Sequence, residues 1–346
     1  LFIILEGGDY VGKTTIANAL QAKLTRHRDS KHGAGPYYHG GLVMGHYGPP
    51  EKSPLLEYTT EIEWYRPGTK IGMLWDRFHL GGPIYGPIYR PKTNREGFGE
   101  MGRAGYQWTE LFLASRGAVT FLVRQDESVI RERFEQLGED SYTGKLEAVL
   151  KVNAAYDEFF RGPNQPITYG GNIEGHFTNP QRRDEWVDDI TDMMIGVAAH
   201  EADKAAPLAD FPSYVGPRDP KVLLLGEKRH LGDDSIMRSA FMPLHGKSGE
   251  FMLDSLPTHS TLWKQIGIAN ALEEDVAHLN HVLGYPQIVA LGNTASDVCE
   301  RADLDHAKVP HPQYVRRFHH HRQNEYGALI QRAATHPPKD YTPWPT

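Results

Sequence analysis

One stretch near the start constrains this chain more than any other. The apolar run Phe2-Ile3-Ile4-Leu5 leads into Gly7-Gly8-Asp9-Tyr10-Val11-Gly12-Lys13-Thr14, and Ile16, Ala17, Ala19, Leu20 and Leu24 follow with helical spacing. A short apolar run, a glycine loop and an amphipathic segment predict a buried strand, a tight turn and a helix. The loop matches the pattern G-x-x-x-x-G-K-[ST], whose backbone N–H groups and following helix N-terminus cradle phosphates. In that pattern Gly7, Gly8, Gly12, Lys13, Thr14 and Thr15 are the nucleotide contacts. Lys13 supplies a cation for the β- and γ-phosphates, and the Thr14 hydroxyl is suited to Mg²⁺.

The pattern of strand and helix continues. Ile71 to Trp75 and Val119 to Val123 are short apolar runs suited to buried parallel strands, and helices are expected over Ser128 to Gln136, Lys145 to Phe160 and Arg183 to Ala199. His32 to Pro54, rich in Gly, Pro, Tyr and His, reads as a long loop bordering a site. At 346 residues the chain exceeds one ordinary core, so two domains are expected. Residues 1–200 form the first. The proline-rich stretch 201–220 reads as a linker, 221–335 as a second α/β domain opening on the strand Val222 to Gly226, and 336–346 as an extended tail. Ile288 to Gly292 is a further strand run, followed by a helix.

Phe2-Ile3-Ile4-Leu5-Glu6-Gly7-Gly8-Asp9 before Gly12-Lys13-Thr14-Thr15 resembles the opening of thymidylate kinases, and Trp75-Asp76-Arg77-Phe78 resembles their Asp-Arg-aromatic motif. The resemblance implies an α/β fold of the P-loop class with a parallel sheet. It places Asp9 near the substrate sugar, Asp76 at the magnesium and Arg77 on the substrate phosphate, a task suited to a planar guanidinium. His79 to Arg90 is similar to thymidylate-kinase-like proteins of bacterial viruses. There Tyr85 or Tyr89 would stack on a base and Arg90 touch a phosphate, although both tyrosines also suit packing. The family needs a catalytic arginine, and Tyr10 stands at the first place it could occupy. That leaves a lid, where Arg124, Arg131 and Arg133 fall; the same residues also fit a charged helix with spaced Glu–Arg pairs.

The second half resembles the uracil-DNA glycosylase superfamily through Gly226-Glu227, Phe241 before Gly246-Lys247-Ser248-Gly249, Ile268-Ala269-Asn270, Leu291-Gly292-Asn293 and Val309-Pro310-His311-Pro312. That resemblance implies a pocket in which Phe241 stacks on a pyrimidine, Asn270 reads its edge, and Glu227 and His311 flank the glycosidic bond. Lys228-Arg229-His230 departs from the small turn usual after the Glu, and the cluster cysteines of that branch are absent. Asn270 and His311 equally suit capping or core roles.

Composition narrows the classes. No apolar run approaches the roughly 20 residues that span a bilayer. Cys299 is the sole cysteine, which excludes an intrachain disulfide and fits a reducing cytoplasm, that of a bacterial host if the source is viral. A net charge of −7 argues against coating nucleic acid; the clearest local cationic patch is Arg316-Arg317-Phe318-His319-His320-His321-Arg322, which equally suits a solvated helix face or turn, and its consecutive histidines do not point the same way for a metal. The expected function is an ATP- and Mg²⁺-dependent phosphotransferase acting on a pyrimidine deoxynucleotide, dTMP or a modified dNMP. Alternatives are a kinase of 5-hydroxymethyluracil within DNA, with the second half recognising the base, and a DNA glycosylase carrying a nucleotide-binding module. Expected partners are the nucleotide, DNA through the second half, and a second copy of the chain, with no membrane.

Overall fold

The computed structural model describes residues 1–26, 41–46, 53–65, 71–93, 96–138, 144–174, 180–228, 241, 247–257 and 261–335. It contains β1 (Phe2–Glu6), α1 (Lys13–Arg26), β2 (Gly41–His46), α2 (Pro54–Trp64), β3 (Ile71–Asp76), α3 (Gly81–Tyr89), α4 (Gly102–Ser115), β4 (Ala118–Arg124), α5 (Glu127–Leu137), α6 (Leu146–Arg161), β5 (Tyr169–Glu174) and α7 (Pro180–Ala205). There follow β6 (Val222–Gly226), α8 (Ser248–Ser255), β7 (Ile266–Asn270), α9 (Val276–Val282), β8 (Gln287–Leu291), α10 (Asn293–Arg301), β9 (His306–Val309), α11 (Pro312–Phe318) and α12 (Gln323–Thr335). No helix among the described residues is long and apolar enough to cross a membrane.

The chain divides into two compact α/β units, Leu1–Glu100 with Arg116–Ala206, and Met101–Ser115 with Pro207–Thr346. The first holds a parallel sheet in the order β2-β3-β1-β4-β5. β1 is fully buried because both its faces are covered, as parallel strands require, and its side chains Ile3 and Leu5 pack with Ile16, Leu20, Val119, Phe121, Val149 and Met194. β1 lies between β3 and β4, so the chain leaves it first to one side and later to the other. Ligands of open parallel sheets collect at the carboxyl end of such a strand, where the following loops diverge.

The second unit repeats this logic with the order β7-β6-β8-β9, again all parallel. β6 occupies the switch position, and Leu223, Leu225, Ala269, Leu279, Ile288 and Ala290 share its core.

Three sequence expectations change here. The stretch 201–220 is no linker: α7 continues to Ala205, Phe211 and Tyr214 are buried in the second core, and Val215 bridges to Ile268. Within the loop expected from His32 to Pro54, Gly41–His46 is edge strand β2, parallel to β3, and Pro54 opens α2. Gly45 is what admits the strand, since a Cβ there would lie 1.6 Å from the Trp75 ring. The rest of that loop, Arg229, His230, Gly246 and the tail 336–346 lie outside the described residues. Finally, α4 lies within the stretch expected to form the first domain, yet it belongs with the second unit. There the Arg103 guanidinium donates to the carbonyls of Asp254 (2.7 Å) and Leu256 (3.4 Å), and Tyr106 meets Trp263 edge-on.

In α12, a Cβ on Gly327 would stand 1.6 Å from the Ser255 carbonyl oxygen, which belongs to backbone and has little freedom to withdraw. Gly327→Ala should therefore destabilise the second unit by about 1–3 kcal/mol through overpacking. Urea unfolding would register this as a lower midpoint; an unchanged midpoint would disprove so close an approach.

Candidate functional site

At the carboxyl end of β1 the glycines have specific steric duties. Gly7 has φ +140°, and a Cβ on it would sit 2.4 Å from the Val123 carbonyl; one on Gly8 would strike the Asn153 amide at 2.5 Å. The loop is held from outside by α5 and the turn after it. Arg133 donates to the Tyr10 carbonyl (2.7 Å), the Tyr10 hydroxyl donates to the Gly138 carbonyl (2.7 Å), and Phe134 packs edge-on against Tyr10. Tyr10 is a non-glycine residue at φ +66°, an arrangement that costs energy and persists only where such contacts enforce it.

Lys13 opens α1. Its ammonium is buried and donates to the Gly7 and Gly8 carbonyls at 2.9 and 2.5 Å. Burial pushes its pKa down to about 8, with repulsion from Arg77 adding and Asp76, Asp9 and Glu6 opposing. Thr14 and Thr15 are exposed on the first turn. Asp76 ends β3 directly beside Leu5 of β1, and the next residue, Arg77, forms an ion pair with Asp9. Arg77 also has positive φ, +64°, and its backbone N–H donates to the Leu5 carbonyl (2.8 Å). Its guanidinium lies 5.5 Å from the Tyr85 ring centre, and its buried Nε has no hydrogen-bond partner among the described residues. Lys13, Asp76, Asp9 and Arg77 thus converge, as the sequence suggested.

The other expected residues divide. Tyr85 is buried on α3 and stacks with Tyr89, and its buried hydroxyl has no hydrogen-bond partner among the described residues. Arg90 caps the end of α3, where its charge reaches Tyr58. Arg124 is held by Asp157 (2.6 Å) and Glu174 (3.4 Å), and Arg131 pairs with Glu127 one turn back on an exposed face. Among these three arginines, Arg133 is the one bonded to the glycine loop. Sequence reasoning gave no role to Glu6, Asn153 or Tyr156. Glu6 could have been noticed as a lone acid closing an apolar strand; Asn153 and Tyr156 come from α6 and carry no local signal.

In the second unit, the expected residues also gather at the carboxyl ends of strands. Glu227 follows β6, Asn270 ends β7, and His311 follows β9 beside Gly292, where an added Cβ would lie 3.1 Å from the His311 Cβ. Phe241, at φ +51°, lays its ring against Gly226 and 6.0 Å from the imidazole centre. Asn270 is 1% exposed; its backbone N–H donates to Ser213 and its Nδ2 to Glu273, whereas its buried Oδ1 has no hydrogen-bond partner among the described residues. His311 caps α11, its Nδ1 accepting the Gln313 N–H at 3.2 Å. The cationic patch lies on and after α11 as a largely exposed surface, with Tyr314 and Phe318 also exposed.

These are two α/β units, each with polar side chains at the carboxyl end of its switch strand. The chain matches no protein-family model and no curated protein.

Two titrations follow. Lys13 holds its proton less tightly when folded (about 8) than when unfolded (10.5), so between these pH values the unfolded chain binds more protons. The stability contribution of this site must rise with pH across that window, the full burial penalty persisting below it. The difference in unfolding free energy between wild type and Lys13→Met should shift in favour of wild type from pH 8 to 10.5; a flat difference would disprove the buried cation. Because Nδ1 of His311 is an acceptor, the neutral ring carries its proton on Nε2. Burial lowers its pKa below the ordinary 6.5, with Glu227 opposing. Nitrogen NMR should find the Nε2–H tautomer at neutral pH, and an Nδ1–H tautomer would rule out the cap.

Proposed function

We propose that the first unit is an ATP-dependent phosphotransferase of the thymidylate-kinase type, acting on a pyrimidine deoxynucleotide such as dTMP or a modified monophosphate. The observation that carries this reading is the Lys13 ammonium, buried and tethered to two carbonyls of its own glycine loop at the start of α1. A desolvated cation held in this way can exchange carbonyl oxygens for phosphate oxygens without leaving the protein interior, and the helix N-terminus adds N–H donors to the same place. An acceptor phosphate oxygen attacks the γ-phosphorus, the bridging β–γ P–O bond breaks and ADP leaves. Arg77 holds the acceptor phosphate, a task its planar guanidinium suits. Arg133 is the candidate for the cation that meets developing charge, since it is bonded to the loop.

Mg²⁺ commonly takes one or two protein oxygens beside the phosphates, so the exposed Thr14 hydroxyl and the Asp76 carboxylate suit it in kind. It would neutralise charge on the β- and γ-phosphates.

A second reading, phosphorylation of 5-hydroxymethyluracil within DNA, is favoured by the buried Oδ1 of Asn270, without a hydrogen-bond partner among the described residues, on the strand residue paired with Gly226, against which the Phe241 ring lies. An acceptor of that kind suits the imino N–H of a uracil-type base. Glu227 and His311 could also serve a glycosylase, whose product would be a free base.

Labelled ATP offered with dTMP and with hydroxymethyluracil-containing DNA tests these readings. Lys13→Ala should abolish transfer in a folded protein, and Arg77→Ala should raise the acceptor KM far more than the ATP KM. Near-normal turnover in Lys13→Ala would sink the kinase reading. If DNA is the acceptor, Asn270→Ala should weaken its use by about 5- to 150-fold, the value of ~1–3 kcal/mol for a buried hydrogen bond. Transfer to dTMP that ignores this substitution would favour the free nucleotide.

A further inference from the structure

Glu6 is an unusual way to end a buried strand. Its side chain is wholly inaccessible, and burial raises its pKa. Such a carboxyl group persists only where hydrogen bonds compensate its desolvation. Its Oε1 accepts the backbone N–H of Phe78 at 2.9 Å, and its Oε2 accepts the Tyr156 hydroxyl at 2.9 Å. The Phe78 N–H belongs to the peptide that leaves Arg77, the residue held at φ +64°. From the other side the Arg77 N–H is taken by the Leu5 carbonyl, so both peptides flanking this strained residue are fastened to the end of β1. Tyr156 meets Tyr85 edge-on, and Tyr85 lies beneath the Arg77 guanidinium. A single buried carboxyl group therefore fixes the Arg77 backbone directly and its aromatic support through one intermediary.

We propose that Glu6 is the positioning residue for the acceptor-binding guanidinium: it holds Arg77 in the left-handed conformation that directs the side chain to Asp9 and the acceptor phosphate. This rests on the phosphotransferase reading given above. Glu6 itself touches no substrate. A left-handed arginine is less favourable than an extended or right-handed one, so without the Phe78 anchor the corner relaxes and Arg77 loses its aim. Lys13, held by carbonyls of the glycine loop, does not depend on that anchor.

Two conservative variants separate reach from charge. Glu6→Gln keeps an oxygen that can accept the Phe78 N–H, and its amide can face the Tyr156 oxygen. Glu6→Asp keeps the carboxylate but falls short by one methylene. With dTMP and hydroxymethyluracil DNA as acceptors, Glu6→Asp should raise the acceptor KM by about tenfold, the scale of one lost buried hydrogen bond, with the ATP KM within about twofold of wild type. Glu6→Gln should restore the acceptor KM to within about threefold. Crystal structures of both variants supply a readout that needs no turnover: Arg77 keeps positive φ in Glu6→Gln and leaves it in Glu6→Asp. The proposal is overturned if Arg77 keeps positive φ in Glu6→Asp, if the two variants lose acceptor binding equally, or if the ATP and acceptor KM rise together. A wild type that phosphorylates neither acceptor would refute the phosphotransferase reading alone, and the Arg77 conformation in the two variants would still decide the role of Glu6.

Discussion

The parallel pairing of β1 with β3 on one side and β4 on the other is the constraint from which the rest of the first unit follows. Those pairings close both edges of β1 while packing covers its two faces, and the chain must emerge at one end with its backbone groups still to be satisfied. The glycine loop turns tightly enough to return Lys13 to the carbonyls of Gly7 and Gly8, while the neighbouring end of β3 delivers Asp76 and Arg77 to the same place. Without the close register of Leu5 with Asp76, the two motifs would be 60-odd residues apart in sequence and unrelated in space.

Charge is concentrated there at low solvent exposure. Lys13 and Arg77 stand among Glu6, Asp9 and Asp76, and the residues are coupled strongly enough that each influences the protonation of Lys13. Left-handed backbone at Tyr10 and Arg77 brackets this group, and both are held by contacts from α5 or from the end of β1. Strain of this kind is retained where the fold overdetermines it. The second unit has a parallel case in Phe241, also left-handed, whose ring fills the space that a side chain on Gly226 would need.

Local features were legible in the sequence and non-local ones were not. The strand, glycine loop and helix of residues 2–26 could be read because apolar spacing and glycine positions are short-range signals, and the same holds for β3, β4, β6 and β8. β2 escaped because its glycines and histidine suggest a loop, and only the Trp75 ring on the next strand explains Gly45. The prolines of 201–220 suggested a linker because turn residues look alike whether they cover a core or join two; the burial of Phe211 and Tyr214 separates the cases. At the site, Lys13, Asp76 and Arg77 announced themselves through motifs. Glu6 needed Phe78 and Tyr156 to reveal its partners, and these come from a different strand end and a helix. Among Arg124, Arg131 and Arg133, sequence alone could not tell the solvent-facing pair of Arg131 from the inward bond of Arg133.

The assignment of α4 to the second unit has a consequence for how the chain can be divided. The polypeptide enters the second unit at Met101, returns to the first at Arg116 and leaves it again after Ala206. A cut near residue 206 would therefore not release an intact half. It would separate Tyr106 from Trp263, and it would deprive α8 of the guanidinium that joins the carbonyls of Asp254 and Leu256. The second unit is assembled from two separate stretches of chain, Met101–Ser115 and Pro207–Thr346, so a boundary drawn at a single point in the sequence cannot isolate it.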